Sequence, residues 1–454
     1  LHCAVRLGEL GVKATVYEGS KRLGGRILSD RTTFGELSCE LGGELIDTGH
    51  QTMQDLCAEH DLALLDYTQD DASLRTYWPL IGGVVLTDQQ VLDAFTPVAA
   101  KIDAALATLT DPDDTWVYFD KPNGGEALDQ LSLAQWFDQQ GVTGPIRTLL
   151  EVAYVTEYGL EVDETNALNF LLLVSSETEK FEVFGASDER FRVAQGNDAL
   201  ITALAGALDP AQLVLEHRLT ALTQKADGTT TLTFDRDGTP VVVEADRVVL
   251  ALPFTLLREV TIEATLSEPK RKAIAEIGYG TNAKLMLGFA SKPWRAQGSN
   301  GEVFTDLPLQ CTWETSRLQP VAAGILTNFT GGDRGLALGQ GTPEERRDEA
   351  LGYLDQVFPG TKAAATGKVA RMHWPTAPFV KASYAAYRVG QYGQMSGAEG
   401  LPEGTLHFCG EHTSLEAQGY MEGGAESGAR AALEVAEALG LEPMAMMRVA
   451  PVMA

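Results

Sequence analysis

Apolar side chains recur every three or four positions in several stretches of the chain, which is the spacing of one face of a helix. A stretch of this kind follows a glycine-rich loop and predicts a C-terminal helix from about Tyr420 to Leu439. The other predicted helices are residues 1–10, 88–108, 132–152 and 164–176.

Short runs rich in β-branched residues predict strands, and most of them fall in the second half of the chain. Residues 248–252 are wholly apolar, as expected of a strand that is buried on both faces of a parallel sheet. Asp227-Gly228 and Asp237-Gly238 predict hairpin turns. The remaining predicted strands are residues 14–18, 212–215, 230–234, 241–243, 283–290, 322–328 and 406–409.

The order of these elements is strand, helix, long insertion, strand, second sheet, strand and helix. Such alternation is typical of α/β folds, and the long insertion predicts two interleaved domains. Four methionines in the C-terminal tail belong to no predicted element and have no clear role: Met444, Met446, Met447 and Met453.

The chain has 454 residues, 44% of them apolar and 22% charged, which is typical of a protein with a large buried core. Its 63 acidic residues outnumber 35 basic ones, for a formal net charge of −28. This charge argues against nucleic-acid and anionic membrane partners, since both need basic protein surface. It favours cationic small molecules, or it serves solubility alone.

Neither a membrane span nor a metal centre is predicted. No stretch reaches the roughly 18 consecutive apolar residues of a spanning helix. The five cysteines show neither a CxxC pair nor metal-ligand spacing, which favours a reducing compartment. We expect a cytoplasmic protein of bacterial type, and a periplasmic location stays open because the chain begins inside its first helix.

Glu18 ends the predicted strand 14–18, where an acidic side chain can accept hydrogen bonds from both ribose hydroxyls of a dinucleotide. The glycines that bind the pyrophosphate would lie about 20 residues earlier, before residue 1. We therefore expect either weak dinucleotide binding by the chain as written or a sequence that is part of a longer protein.

Glycine pairs follow Glu18 at short distance. Paired glycines let the backbone approach a pyrophosphate or ribityl chain, and an arginine beside them adds positive charge. A third glycine-rich segment, residues 409–424, leads into the C-terminal helix, whose N-terminus would stabilise an anionic group. The first two motifs are Gly24-Gly25-Arg26 and Gly42-Gly43-Glu44.

With these motifs the chain resembles the flavin-containing amine oxidase family, which includes monoamine, polyamine and L-amino acid oxidases. The resemblance extends over nearly the whole chain. It is most specific at Cys409-Gly410-Glu411-His412-Thr413 and at residues 418–424 (QGYMEGG). Other matching segments are residues 193–197 (VAQGN), residues 246–253 (DRVVLALP), Lys284, Trp374-Pro375 and Ser383-Tyr384.

The resemblance implies FAD as cofactor and an α/β fold with a discontinuous, Rossmann-like FAD-binding domain. A mixed-sheet substrate domain with a helical subdomain would form the remainder. We expect the FAD-binding domain to comprise residues 1–75, 190–275 and 385–454. The substrate domain would then comprise residues 76–189 and 276–384.

The same resemblance implies the site residues. Tyr384 and Tyr420 would flank the substrate nitrogen in front of the flavin, and Trp374 would lie near the flavin. Lys284 would hold a water against flavin N5 and help dioxygen accept an electron. Read without the family, each tyrosine could be an ordinary core residue and Lys284 an outward-facing one. The expected cofactor-binding residues are Glu18, Gly24, Gly25, Arg26, Gly42, Gly43, Glu44, Leu219, Gly410, Glu411, Gly419 and Met421.

Two positions depart from better-known family members. Ser383 stands where mammalian monoamine oxidases carry the cysteine bonded to flavin, so we expect noncovalent FAD. Leu45 stands where venom-type L-amino acid oxidases carry an arginine that binds the substrate carboxylate. Leucine cannot supply that contact, which counts against an amino acid substrate. Three arginines elsewhere remain candidates for the same role: Arg75, Arg192 and Arg388.

The predicted reaction is oxidation of a C–N bond of a primary or secondary amine to an imine, with dioxygen reduced to hydrogen peroxide. The partners would be the amine and dioxygen, and a homodimer is left open. An L-amino acid oxidase is the first alternative. A flavin-binding protein without turnover is the second, and the presence of Lys284 and both tyrosines argues against it.

Overall fold

The computed structural model describes residues 1–111 and 114–441. Its helices are α1 His2–Glu9, α2 Gln51–Glu59, α3 Asp88–Leu106, α4 Glu126–Asp129, α5 Leu133–Gln140, α6 Gly144–Tyr158, α7 Ala167–Leu171, α8 Asp198–Gly206, α9 Phe254–Leu257, α10 Glu268–Glu276, α11 Pro293–Ala296, α12 Gly332–Leu338, α13 Pro343–Val357, α14 Thr361–Ala364, α15 Tyr392–Met395 and α16 Met421–Ala438. The methionine-rich tail lies outside the described residues.

The strands belong to several sheets of different size. They are β1 Val16–Tyr17, β2 Ser29–Phe34, β3 Leu37–Glu40, β4 Leu64–Asp66, β5 Trp78–Ile81, β6 Val84–Val85, β7 Phe191–Val193, β8 Leu213–Val214, β9 Arg218–Gln224, β10 Thr230–Arg236, β11 Thr239–Ala245, β12 Val248–Leu250, β13 Thr261–Glu263, β14 Ala283–Phe289, β15 Val303–Thr305, β16 Cys311–Glu314, β17 Gly324–Thr330, β18 Ala365–His373 and β19 Leu406–Phe408.

Two short parallel sheets, β1–β8 and β12–β19, lie beside the paired helices α1 and α16. The two helices approach closely at Gly428, where an added Cβ would lie 3.4 Å from the backbone nitrogen of Cys3. A large cavity extends between the two sheets, because residues of β1, β12, α1 and α16 all contribute to its wall. These elements come from three distant parts of the chain, as the interleaved order predicted.

A four-stranded sheet in the order β11-β10-β9-β13 packs beside this region. Both predicted hairpin turns are confirmed, since β9, β10 and β11 are consecutive antiparallel neighbours. At the second turn Asp237 and Gly238 have φ of 50° and 79°, a conformation that Asp-Gly tolerates well.

The largest sheet has seven strands in the order β18-β14-β17-β16-β15-β5-β6. Its strand β14 is buried along its whole length and pairs antiparallel with both β17 and β18. The sheet contains both strands predicted at residues 283–290 and 322–328. Because β15 and β5 run parallel within it, the sheet is mixed.

Helices α3, α5, α6 and α7 pack together on an apolar core that includes Phe95, Phe137, Leu150 and Phe170. The single helix expected over residues 132–152 is wrong. The chain forms α5 and α6 instead, because Gly141 ends α5 in the left-handed conformation, with φ of 64°.

The helix expected at residues 164–176 is also too long, since α7 has only five residues. All five residues of α7 are buried, so the apolar spacing in this stretch reflects burial on all sides and not one helix face. The two-domain boundaries remain a prediction.

No helix within residues 1–111 and 114–441 is long and apolar enough to span a bilayer. In the same part of the chain, no three or more His, Cys, Asp or Glu side chains are grouped in a way that could hold a metal ion.

Candidate active site

A cavity of about 1210 Å³ runs from the short parallel sheets to the seven-stranded sheet. This exceeds the roughly 300–1,000 Å³ of most small-molecule pockets, so it can hold a long cofactor together with a substrate. All of the predicted site residues line it, including Leu219 on β9. The cavity therefore brings together residues that lie as far apart in the sequence as Glu18 and Met421.

Glu18 lies at the carboxyl end of β1 and in the cavity wall. Its Oε1 accepts a hydrogen bond of 2.7 Å from the Ser20 amide, which fixes the side chain at the strand end. Gly24 and Gly25 follow with φ of 104° and 54°. An added Cβ at Gly25 would meet nothing within 4 Å, so this backbone faces open space in the cavity.

Arg26 joins the N-terminal and C-terminal motifs. Its guanidinium donates to Oε1 of Glu411 at 2.7 Å and to the Ser383 carbonyl at 2.6 Å. Glu411 is buried and accepts a further hydrogen bond of 2.9 Å from the Gly419 amide. The positive charge of Arg26 is therefore committed to shaping the loop before α16.

Gly42 and Gly43 are required by packing within the protein. An added Cβ at Gly42 would lie 1.7 Å from the Arg26 carbonyl oxygen, and one at Gly43 would lie 2.6 Å from Met421 Cγ. Neither position tolerates a side chain, whether or not a ligand is bound. The sequence predicted that the backbone at these two glycines approaches a bound group closely. In the structure, the backbone at both glycines closely approaches other parts of the protein.

The N-terminus of α16 opens onto the cavity through Tyr420 and Met421. No side chain among the described residues caps it. Uncapped amides and the helix dipole make such an end favourable for an anionic or electron-rich group. This is the environment expected where a bound group gains negative charge.

Lys284 is buried in β14 and lines the cavity. Its Nζ donates to Glu44 Oε2 at 2.7 Å and to the Gly42 carbonyl at 2.8 Å. Burial opposes ionisation of Glu44, but Lys284 and then Arg192 hold the pKa of this carboxyl below its usual value. The reading of Lys284 as an outward-facing residue is wrong.

Both tyrosines contact one residue, Glu157, at the end of α6. The Tyr420 hydroxyl donates to Glu157 Oε1 at 3.0 Å, and the Tyr384 hydroxyl donates to the Glu157 carbonyl. Burial and the Glu157 carboxyl raise the pKa of both phenols well above 10, so both remain protonated. Gly419 packs on the Tyr384 ring, since an added Cβ there would lie 3.4 Å from Cδ2.

Trp374, Ser383 and Leu45 also lie in the wall. The Trp374 ring approaches Gly42, where an added Cβ would lie 3.1 Å from Cζ2. The Ser383 hydroxyl donates to Asn282 Oδ1 at 2.6 Å. Leu45 presents an apolar side chain where the resemblance to amino acid oxidases would require a cation.

The three arginines kept as substitutes for that cation are wrong candidates, because none of them lines the cavity. Arg192 is fully buried and binds Glu40, Ser38 and the Thr315 carbonyl. The other two are held in ion pairs elsewhere, Arg75 with Asp88 and Arg388 with Glu164.

Three acidic residues of the wall were not found from the sequence: Glu157, Glu189 and Glu302. Burial raises the pKa of Glu157 to about 7, although the hydrogen bond from Tyr420 opposes the shift. These residues lie in unrelated segments without a motif. The only sequence signal was the acidic composition, which does not indicate which carboxylates face a cavity.

FAD fits the cavity by the chemistry of its wall. Glu18 is fixed at a strand end where ribose hydroxyls can bind, and Gly25 leaves room for a pyrophosphate beside its backbone. The uncapped end of α16 suits an electron-rich ring system. Lys284, in β14 of the seven-stranded sheet, and both tyrosines line the same cavity.

Comparisons with known proteins agree with this geometry. A putative L-amino-acid oxidase, YobN of Bacillus subtilis, is 31% identical over 42% of this chain, a match that spans only 41% of YobN. The putative flavin-containing monoamine oxidase AofH of Mycobacterium tuberculosis is 24% identical over 97% of this chain and 94% of its own length.

Cyclohexylamine oxidase from Brevibacterium oxydans has the same fold, with a TM-score of 0.83 at 22% identity, covering 97% of this chain and 96% of the other. The sequence profile of the family described as flavin containing amine oxidoreductase matches residues 1–436. The chain belongs to this family of FAD-dependent amine oxidoreductases.

Proposed function

We propose that this protein oxidises the C–N bond of a primary or secondary amine that lacks a carboxylate, using noncovalently bound FAD and dioxygen. The amine loses two electrons and two protons and becomes an imine. Dioxygen takes up the electrons and protons as hydrogen peroxide, and water hydrolyses the imine to a carbonyl compound and ammonia or a smaller amine. FAD bound in the cavity would supply the acceptor for the hydride and the donor for dioxygen.

One observation carries the proposal. A single cavity joins a dinucleotide-type end, formed at Glu18, Gly25 and the start of α16, to an aromatic end formed at Tyr384 and Tyr420. Such an arrangement would suit an amine bound between the tyrosines and in line with a flavin ring. A flavin-binding protein without turnover would not need the second end.

The residues at the aromatic end bind and orient the amine. The protonated phenols present electron-rich ring faces, which attract a cationic or polar nitrogen. Glu157 lies within hydrogen-bond distance of Tyr420, and with a pKa of about 7 its carboxyl is placed to take the proton of a substrate ammonium. The neutral amine that results is the form able to lose hydride.

Lys284 would act at the ring position. Its ammonium is held by Glu44 and by the Gly42 carbonyl, so the charge is fixed in the cavity wall. A fixed positive charge stabilises negative charge that develops on a reacting oxygen. We assign it the role of assisting the reduction of dioxygen, with Trp374 shaping the wall beside it.

Anaerobic mixing with a panel of amines tests the proposal. Amines without a carboxylate should bleach the flavin absorbance, and their kcat/KM should exceed that of the amino acid with the same side chain. Readmission of air should restore the absorbance and release hydrogen peroxide in proportion to amine consumed. If no amine of the panel bleaches the flavin absorbance, the proposal is contradicted.

Noncovalent attachment is tested separately. Ser383 cannot form a thioether and its hydroxyl is bound to Asn282. Acid precipitation of the holoenzyme should therefore release all of the yellow colour into the supernatant. Colour that stays with the pellet would show a covalent link elsewhere in the cavity.

Amino acid oxidation is the second candidate, and the similarity to YobN favours it. It requires a cation for the substrate carboxylate. Each described arginine that lines the cavity already hydrogen-bonds a protein group: Arg22, Arg26, Arg218 and Arg247. A carboxylate at the aromatic end would instead face acidic residues.

A further inference from the structure

Five methionines lie in the described part of the chain, and they differ in how far they face the cavity. Three of them are no more than 1% exposed: Met53, Met286 and Met395. Met372 and Met421 are partly exposed and line the cavity wall. Of the five side chains, these two are therefore the most open to the cavity contents.

The sulfur of Met421 is enclosed by other parts of the protein. An added Cβ at Gly43 would lie only 2.8 Å from Met421 Sδ, and the amide nitrogen of Asn197 lies 3.7 Å from the same atom. Protein atoms thus occupy two sides of this sulfur. Met421 therefore serves as the internal comparison for Met372.

Met372 lies on β18 directly opposite Lys284 on β14. Directly opposed residues of antiparallel strands have Cβ atoms about 4.5–5.5 Å apart, and their side chains share one face of the sheet. That face is the cavity wall, since both residues line it. Phe329 of β17 is the opposed residue on the other side of Lys284 and lines the cavity as well. Met372 is therefore the thioether that neighbours the ammonium of Lys284.

The Lys284 ammonium has three N–H donors, and two of them are used in short hydrogen bonds to Glu44 and to the Gly42 carbonyl. Its third contact is the Glu40 carbonyl at 3.4 Å, which is beyond the usual range of about 2.7–3.2 Å. One N–H is thus only weakly bound by the protein. It is available to an oxygen atom that is brought next to it.

Hydrogen peroxide, the product of the proposed function, oxidises a thioether without prior deprotonation. The sulfur donates an electron pair to one peroxide oxygen, so an S–O bond forms as the O–O bond breaks. The other oxygen leaves as water with both protons, and methionine becomes methionine sulfoxide. The cavity thiol of Cys311 is a poorer target, because burial raises its pKa well above the usual value and leaves little of the reactive thiolate.

We propose that Met372 is a site of oxidation to the sulfoxide by hydrogen peroxide formed next to Lys284, and that this modification slows later reoxidation of the enzyme. The inference rests on the proposed function, which supplies the peroxide. The sulfoxide oxygen is a much stronger hydrogen-bond acceptor than the thioether sulfur. Opposite Lys284, it would accept the weakly bound N–H and occupy the place where dioxygen meets the charge. Each modified molecule would lose oxidase activity through its own turnover.

The experiment follows the holoenzyme in air through many turnovers of an amine that bleaches its flavin, with catalase present to destroy peroxide that reaches the bulk solution. Peptide mass spectrometry measures sulfoxide at each methionine, and stopped-flow absorbance measures reoxidation. We expect sulfoxide to accumulate at Met372 ahead of Met421, in proportion to turnovers. Reoxidation of the modified enzyme should slow at least about tenfold, the effect of one hydrogen bond to a charged group. Anaerobic reduction by amine should change much less.

Met372→Leu removes the sulfur and keeps a similar side-chain volume. Measured against its own starting value, the reoxidation rate of this variant should persist over the same number of turnovers. Met395→Leu is the matched control, because Met395 is fully buried and lies outside the cavity wall. The control should slow during turnover as the wild type does.

The outcomes separate this inference from the proposed function. Amine oxidation with release of peroxide that leaves Met372 unmodified overturns the inference and leaves amine oxidation standing. Sulfoxide that disappears when catalase is present also overturns it, since bulk peroxide would then be the oxidant. Equal slowing of Met372→Leu and the wild type would show that the sulfoxide is not the cause. If no peroxide accompanies amine oxidation, both proposals fail. The wild-type peptide map needs no variant, so it decides the matter even if a variant does not fold.

Discussion

The two ends of the cavity are built in different ways. The cofactor end consists of backbone, glycines and a helix terminus, contributed by short contiguous motifs such as Gly24-Gly25-Arg26 and residues 409–424. The substrate end consists of side chains from unrelated segments, with Glu157, Glu189 and Glu302 as its charged members. Under the proposed function, the first end would hold a cofactor of fixed shape, whereas the second would select among amines.

This difference shows what each end demands of the sequence. The backbone at the first end tolerates few replacements, because Gly42 and Gly43 pack against Arg26 and Met421 and have no room for a side chain. A side-chain pocket needs only the right charge and volume, and any segment that reaches the wall can provide them. Variants at the cofactor end should therefore damage binding of FAD, while those at the substrate end should change specificity or pH dependence.

Lys284 carries the proposed role in the reduction of dioxygen and a buried ion pair with Glu44, so its replacement should have the largest effect. In Lys284→Met the rate of reoxidation by dioxygen should fall about a hundredfold, the usual cost of losing one preorganised charge. Anaerobic reduction by amine should slow much less. Glu44 would lose its buried partner, so the free energy of unfolding should also fall by about 3–5 kcal/mol. Stopped-flow absorbance and chemical denaturation measure the two effects.

A second variant separates these effects. Lys284→Met with Glu44→Gln removes the unpaired carboxylate and should recover much of the lost stability, while reoxidation stays slow. Recovery of both quantities together would mean that Lys284 is only structural. Equal slowing of reduction and reoxidation in the single variant would reject the assigned role.

A substitution at Gly25 tests whether the pyrophosphate of FAD binds beside this residue. Gly25→Ala puts a methyl group into open cavity space, with a left-handed φ of 54°. The backbone strain should cost about 1–2 kcal/mol of stability in the FAD-free protein. If the pyrophosphate lies beside Gly25, FAD affinity should fall by a further tenfold or so, the effect of about 1.4 kcal/mol. Titration with FAD and thermal melts measure these quantities.

Gly82→Ala is the matched control, because Gly82 has φ of 59° and nothing within 4 Å of an added Cβ. It lies in the turn between β5 and β6, away from the cavity wall. The control should show the same strain and wild-type FAD affinity. Equal FAD affinities in the two variants would move the pyrophosphate away from Gly25.

The sequence predicted residues that meet in the cavity wall at the proposed cofactor end, because glycine pairs and strand-end acids are local signals tied to backbone conformation. Their role in binding FAD stays a prediction. The sequence also predicted the strands that form the core of the sheets, such as residues 248–252 and 283–290. Two predicted helices in residues 132–176 were wrong. The first is broken at Gly141, and the second is too long because its apolar spacing reflects burial on all sides. The sequence could not predict that Glu157, Glu189 and Glu302 line the cavity, because only tertiary packing brings these residues to one wall.

The smallest effect is expected from Glu157, in the pH dependence of stability. Burial raises its pKa from 4.5 to about 7 in the folded protein. Between these values the folded state binds more protons than the unfolded state, so the stability falls as pH rises and the loss is complete above about pH 7. Glu189 and Glu302 act in the same direction, so the wild type should lose stability in this range from all three.

Glu157→Gln cannot ionise and should flatten this decline, gaining on the order of 2 kcal/mol over the wild type at pH 8 relative to pH 4, after allowance for water in the cavity. Denaturation of the FAD-free protein across this pH range measures the difference. Glu177→Gln, at an exposed position, should leave the slope unchanged. A Glu157→Gln curve parallel to that of the wild type would show that this carboxyl has the same pKa in the folded and unfolded states. It would remove the reason for treating Glu157 as the acceptor of the substrate proton near neutrality.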